Sequence, residues 1–129
     1  MPISQSHTTD RPLSSGERAL VAWLLEHGNT RAQGALAQVS DLRVIAQCHC
    51  GCASVDFSVD GKVPSPKSGM EVVSDYWWRT QAGHLCGAFV FLRDNLLAGI
   101  DLWSIDGGET PSELPRIEDL KSYDSHRDA

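Results

Sequence analysis

Residues 85–104, LCGAFVFLRDNLLAGIDLWS, constrain what this chain can fold into more than any other stretch. Two apolar runs flank Asp94-Asn95, a pair that tolerates the positive φ angles of a two-residue hairpin. A hairpin this apolar demands a larger sheet, and a sheet demands a layer packed on at least one face. A two-residue turn pairs Leu92 with Leu97, Val90 with Gly99, Ala88 with Asp101, and Cys86 with Trp103.

Three more strand-like runs precede it: RVIAQC, ASVDFSV and MEVVSDYWWR. Cys50-Gly51, DGKVPSPKSG and TQAG supply the breaks between them. Further upstream, Ser14 and Glu17 have the spacing of a capping box ahead of ALVAWLLEH, whose Leu20, Trp23 and Leu24 form one stripe. Gly28 stands where that helix stops, and Thr30 with Gln33 opens a second. Helices are expected over about 14–27 and 31–39, and Pro115 opens one last turn in RIEDLKSY. The order predicts an α+β domain over residues 13–123. Two N-terminal helices pack on one face of a five-stranded antiparallel meander, with a short C-terminal helical turn. Residues 1–12 and 124–129 are expected as disordered tails.

A four-residue TQAG loop pairs Trp77 with Cys86 and Asp75 with Ala88. Trp78, Tyr76, Phe89, Phe91, Ile100 and Leu102 then lie under the helices. The other face carries the rows Trp77–Cys86–Trp103 and Asp75–Ala88–Asp101. Adjacent Trp77 and Trp78 point to opposite sides of any strand, so one tryptophan faces away from the helices. Aromatic patches of this kind mark interfaces, which makes Trp77, Trp103, Asp75 and Asp101 the candidate partner-binding residues. A homodimer or a small ligand would use the same residues. Alternatively, the long loop or the C-terminal segment folds over them.

The segment CHCGC at 48–52 raises metal chemistry. A two-residue hairpin at Cys50-Gly51 pairs Val44 with Phe57, Ala46 with Val55 and His49 with Cys52, leaving one discordant pair, Ile45 with Asp56. Cys48 then points to the core, Cys50 sits in the turn, and Cys52 faces the other way with His49, so the three thiols diverge. The spacing lacks the C-x-x-C of zinc knuckles and redox motifs, and buried or turn cysteine is the plain reading. The alternative is a zinc-binding or thiol-sensing site built from Cys50, Cys52, His49 and Cys86. Four ligands would have to reach one ion at about 2.0–2.3 Å, across roughly 10 Å of intervening strand.

Other chemistry finds little support. Asp75 and Asp101, roughly 10 Å apart at the backbone, match the spacing of an inverting glycosidase, but paired acids on a sheet face are usually just solvated. No G-x-S-x-G elbow occurs, and no phosphate-binding glycine loop sits between a strand and a helix. Charge is more informative. Of 17 acids and 11 bases, nine acids and only three bases fall in residues 94–129. Such a surface repels phosphate backbones, so nucleic acid is not expected, and it attracts a basic protein. No apolar run approaches the roughly 20 residues of a membrane span, so no membrane partner is expected. The N-terminal residues lack a secretory pattern, and with four cysteines they place the chain in the cytoplasm.

The features RAQGALAQV, RVIAQCHCGCASVDFSV, AFVFLRDNLLAGIDLWSID and the acidic LPRIEDL resemble a group of small bacterial α+β proteins. They share a C-x-C-G-C-x-S hairpin and a D-G or D-N turn before the last strand, over about residues 14–120. The resemblance implies the fold and no activity. The sequence therefore points to a non-catalytic binding protein, such as an immunity or antitoxin-type inhibitor of a basic toxin.

Overall fold

The computed structural model describes residues 6–48 and 52–123. Helix α1 (Ser15–Glu26) begins where the capping box requires. Ser14 Oγ accepts from Glu17 N at 3.1 Å, and Glu17 accepts from Ser14 N at 2.8 Å. Arg11 grips both Glu17 carboxylate oxygens at 2.9 Å. Burial pushes the Glu17 carboxyl up, but Arg11 and Ser14 together outweigh it and hold the group below its usual range.

The second helix is shorter than expected. Asn29, not Thr30, caps α2 (Thr30–Gly34), accepting from Ala32 N at 2.9 Å. Residues Leu36–Asp41 then tighten into a 3-10 segment. That winding delivers Gln38 to the β-hairpin beneath it, where it donates to Asn95 O at 3.1 Å and accepts from Leu97 N at 2.9 Å. Gly28, at the elbow between the helices, lies against β-sheet backbone. A Cβ there would fall 2.6 Å from the Val73 carbonyl oxygen.

The sheet has seven strands, not five: β1 (Ser6–Pro12), β2 (Leu42–Cys48), β3 (Val55–Val59), β4 (Glu71–Arg79), β5 (Leu85–Arg93), β6 (Leu96–Ser104) and β7 (Lys121–Ser122). All pairings are antiparallel, in the order β1-β2-β3-β6-β5-β4-β7. Two corrections follow. Residues 6–12, expected as a tail, form an edge strand against β2, while residues 124–129 lie outside the described residues. The five central strands are also not a simple meander, because β3 pairs with β6 and the 60–70 loop carries the chain across to β4. Burial explains the choice. Leu97–Ile100 of β6 are buried without a break, whereas β4 carries exposed Glu71, Asp75 and Arg79 and suits a place near the edge. In place of a C-terminal helical turn, Ile117–Asp119 form a short 3-10 turn leading into β7.

One sheet face is closed by α1, α2 and the strap of residues 105–120. Leu20, Leu24 and Leu25 of α1 meet Val44, Phe57, Val90 and Ile100, all almost fully buried. Leu114, Ile117 and Leu120 of the strap complete the layer. Residues 105–120 thus lie on the helix side, while residues 124–129 are outside the described residues. Among the described residues no helix is long and apolar enough to cross a membrane.

Candidate functional site

The opposite face is built from rungs across three strands. In the lowest, Trp77, Gly87 and Trp103 are register partners on β4, β5 and β6. In the next, the partners are Asp75, Phe89 and Asp101. Above them Phe91 pairs with Gly99, which pairs with Asp56 on β3. All four expected binding residues, Trp77, Trp103, Asp75 and Asp101, therefore share the face that the helices and the strap leave uncovered among the described residues. Their middle neighbours differ from expectation: Gly87 and Phe89 stand where Cys86 and Ala88 were placed.

The cause is two one-residue shifts of opposite effect. Residues 80–84 form a five-residue turn closed by Thr80 N donating to His84 O at 2.8 Å, so Trp78, not Trp77, pairs with Cys86. The Asp94-Asn95 turn forms as expected, with φ of 55° and 64°, and pairs Leu92 with Leu97. An irregularity in register then follows and pairs Phe91 with Gly99. Each shift turns β5 over relative to a neighbour, and together they leave β4 and β6 in agreement. Phe89 and Phe91, expected under the helices, are on the uncovered face, and Cys86, expected beside the tryptophans, is fully buried on the helix side. A third irregularity removes the discordant pair in the first hairpin. Val44 pairs with Phe57 as expected, but past Ile45 it is Ala46 that meets Asp56.

Glycine shapes the surface. A Cβ on Gly87 would lie 2.5 Å from Trp103 Nε1, so the indole rests across the bare strand backbone. Trp103 nevertheless keeps 42% of its area exposed. A Cβ on Gly99 would meet Asp56 Oδ1 at 3.0 Å and the Phe91 ring at 3.1 Å. The 60–70 loop closes only the top of this face. Pro64 and Phe91 are buried there, and Arg93 donates to Ser68 O at 2.7 Å while lying 5.6 Å from the Phe91 ring centre. Lower down, Phe89 is half-buried and Asp75 exposed.

Burial raises the carboxyls of Asp56, Asp75 and Asp101 above their usual range, and the Asp56 charge adds to the effect at Asp101. The shift is firmest at half-buried Asp101, because Asp56 and Asp75 keep solvent on one side that screens theirs. Among the described residues none of the three makes a hydrogen bond or an ion pair, and the Arg93 charge offsets part of the rise at Asp56 and Asp101. Tyr123 is raised by burial and by Asp75, which places the end of β7 beside this group. Sequence reasoning missed Asp56 and Phe89, because the register irregularities that place them here carry no sequence signal.

The cysteine alternative gains no assembled ligand set. His49 and Cys50 lie outside the described residues. Cys52 Sγ donates to Ser54 Oγ at 3.3 Å, and Cys86 approaches Glu109 O at 3.8 Å in the core. Burial, then Glu109 and Asp106, raise the Cys86 thiol, which keeps it protonated and unreactive. Among the described residues no group of His, Cys, Asp and Glu could hold a metal ion. A cleft of about 460 Å³ lies between the β4–β5 turn and the strap, lined by Arg79, Thr80, Glu109, Leu114 and Arg116. Thr80 is spent there on Glu109, to which it donates at 2.7 Å. No protein-family model, curated protein or solved structure matches this chain.

Proposed function

We propose that this chain is a non-catalytic binding protein whose uncovered sheet face docks a basic protein. Inhibition of a basic toxin by an immunity or antitoxin-type protein is one form such a role takes. The observation that carries the reading is Trp103, held across Gly87 and 42% exposed, on the same face as three carboxylates that form no hydrogen bond or ion pair among the described residues. A lone surface tryptophan is ordinary, but an exposed indole beside unpaired acids matches the aromatic and charged make-up of interface hot spots. A net charge of −6 would speed the approach of a cationic partner.

The test is a photo-crosslinking residue at position 103 in the living source cell, with position 18 on α1 as control. The expected result is one adduct to a basic protein from position 103 only, lost in Asp75→Asn/Asp101→Asn. Equal adducts from both positions, or none, would defeat the reading. A face closed by a second copy instead would give a doubled mass by light scattering, abolished by Trp103→Arg.

A further inference from the structure

The two phenylalanines of the uncovered face have different neighbours. Phe91 is buried and already has the Arg93 guanidinium 5.6 Å from its ring centre. Phe89, one rung below and 5.9 Å away centre to centre, is half-buried with Asp75 and Asp101 as its register partners on either side. Arg93 satisfies Phe91 and the Ser68 carbonyl. Among the described residues neither flanking acid forms an ion pair, and Arg93 reaches Asp101 only through its charge at longer range. Among the described residues one aromatic–guanidinium stack is thus complete, and the next holds no stacked cation.

Resting on the docking reading above, we infer that the Asp75–Phe89–Asp101 rung is an arginine notch: a partner guanidinium lies on Phe89 between the two carboxylates. The dimensions fit. Two strand spacings set the acids roughly 10 Å apart at the backbone. A planar head accepted on both flanks through N–H···O bonds of about 2.8 Å fills such a gap. A divalent cation does not, since it needs oxygens within about 2.6 Å of one point. Lysine could reach one acid at a time, whereas arginine is flat enough to stack and forked enough to touch both. Trp77 and Trp103 in the rung below supply apolar ground for the rest of the partner's chain.

N-acetyl-L-argininamide, titrated into the full chain and followed by NMR, tests this directly. Saturable shifts are expected at Phe89, Asp75 and Asp101 with millimolar affinity, and several-fold weaker ones with N-acetyl-L-lysinamide. Asp75→Asn and Asp101→Asn should each weaken binding about fivefold, the size of one partly exposed charge pair, while Glu26→Gln on α1 changes nothing. Phe89→Leu should remove the ring-current shift of the arginine δ-methylene, with native methyl resonances certifying the fold. Lysinamide binding equally well, no saturation by about 100 mM, or shifts scattered over every surface acid would overturn the notch. If those results came with a persistent position-103 adduct, the notch would fall and the docking face would stand. Loss of both would remove both.

Discussion

The two faces of one sheet are built by different rules, although alternate residues of the same strands supply them. On the helix side, β5 and β6 contribute Cys86, Ala88, Val90, Ile100 and Leu102, all buried and chosen for volume. On the other side the same strands contribute Gly87, Phe89, Gly99, Asp101 and Trp103, where glycine makes room and, among the described residues, Asp101 forms no ion pair. The first set lowers the energy of the folded chain. The second raises it, through desolvated carboxylates and an indole open to water. Such a cost on one face alone separates the part of the chain that folds from the part available for contact.

The sharpest way to break this contrast is to truncate each face in turn. Leu24→Ala empties a fully buried site under the sheet and should cost about 3 kcal/mol in urea unfolding, leaving argininamide binding intact. Trp103→Ala, which strips the part of the indole resting on Gly87, should cost about 1 kcal/mol. Equal costs would erase the distinction.

A smaller effect concerns Glu17, where the helix side borrows a charge pair. Glu17→Ala removes the capping box and strips Arg11 of its partner, at about 2 kcal/mol. The folded-state carboxyl is held below its unfolded range. Its contribution is therefore present above the ordinary glutamate range and is lost as pH falls through the folded value. Unfolding curves of both chains should converge on acidification.

The smallest has the opposite sign. Asp101 has a raised carboxyl, so its charged form opposes folding, and stability rises as pH falls through that raised value toward the unfolded one. Asp101→Asn should therefore gain about 0.5 kcal/mol at neutral pH, as relief of a like-charge neighbour does on a sheet. That gain should close below the ordinary aspartate range. A loss at neutral pH would mean that Asp101 is paired.

What the sequence conveys follows the locality of each signal. Ser14 with Glu17 and Asp94 with Asn95 are contacts within a few residues, and both form as read. Parity is local too, but it accumulates errors. The irregularities near Ile45 and between Phe91 and Leu92 leave no mark on composition, and the five-residue 80–84 turn was counted one short. That Trp77 and Trp103 share a face survives because two of these errors cancel; Phe89 and Cys86, between them, changed sides. Strand β1, SHTTDRP, offers no apolar alternation, since an edge strand needs little of it. The β3–β6 pairing is invisible for a different reason. The two-proline loop of residues 60–69 is long enough either to turn back or to cross over, and only burial summed over the whole sheet selects crossing.

That crossing sets the timetable of assembly. Val55, already paired with Gln47, must wait for Ile100, 45 positions further along, to fill its other side, whereas β4, β5 and β6 can zip through neighbouring turns as they emerge. A ribosome that has released residues 1–93 has made a bare β3 border and a bare β5 border with nothing between them. The eleven residues of β6 and its turn are the keystone, and a chain halted before them presents two unfilled hydrogen-bonding rims to its neighbours.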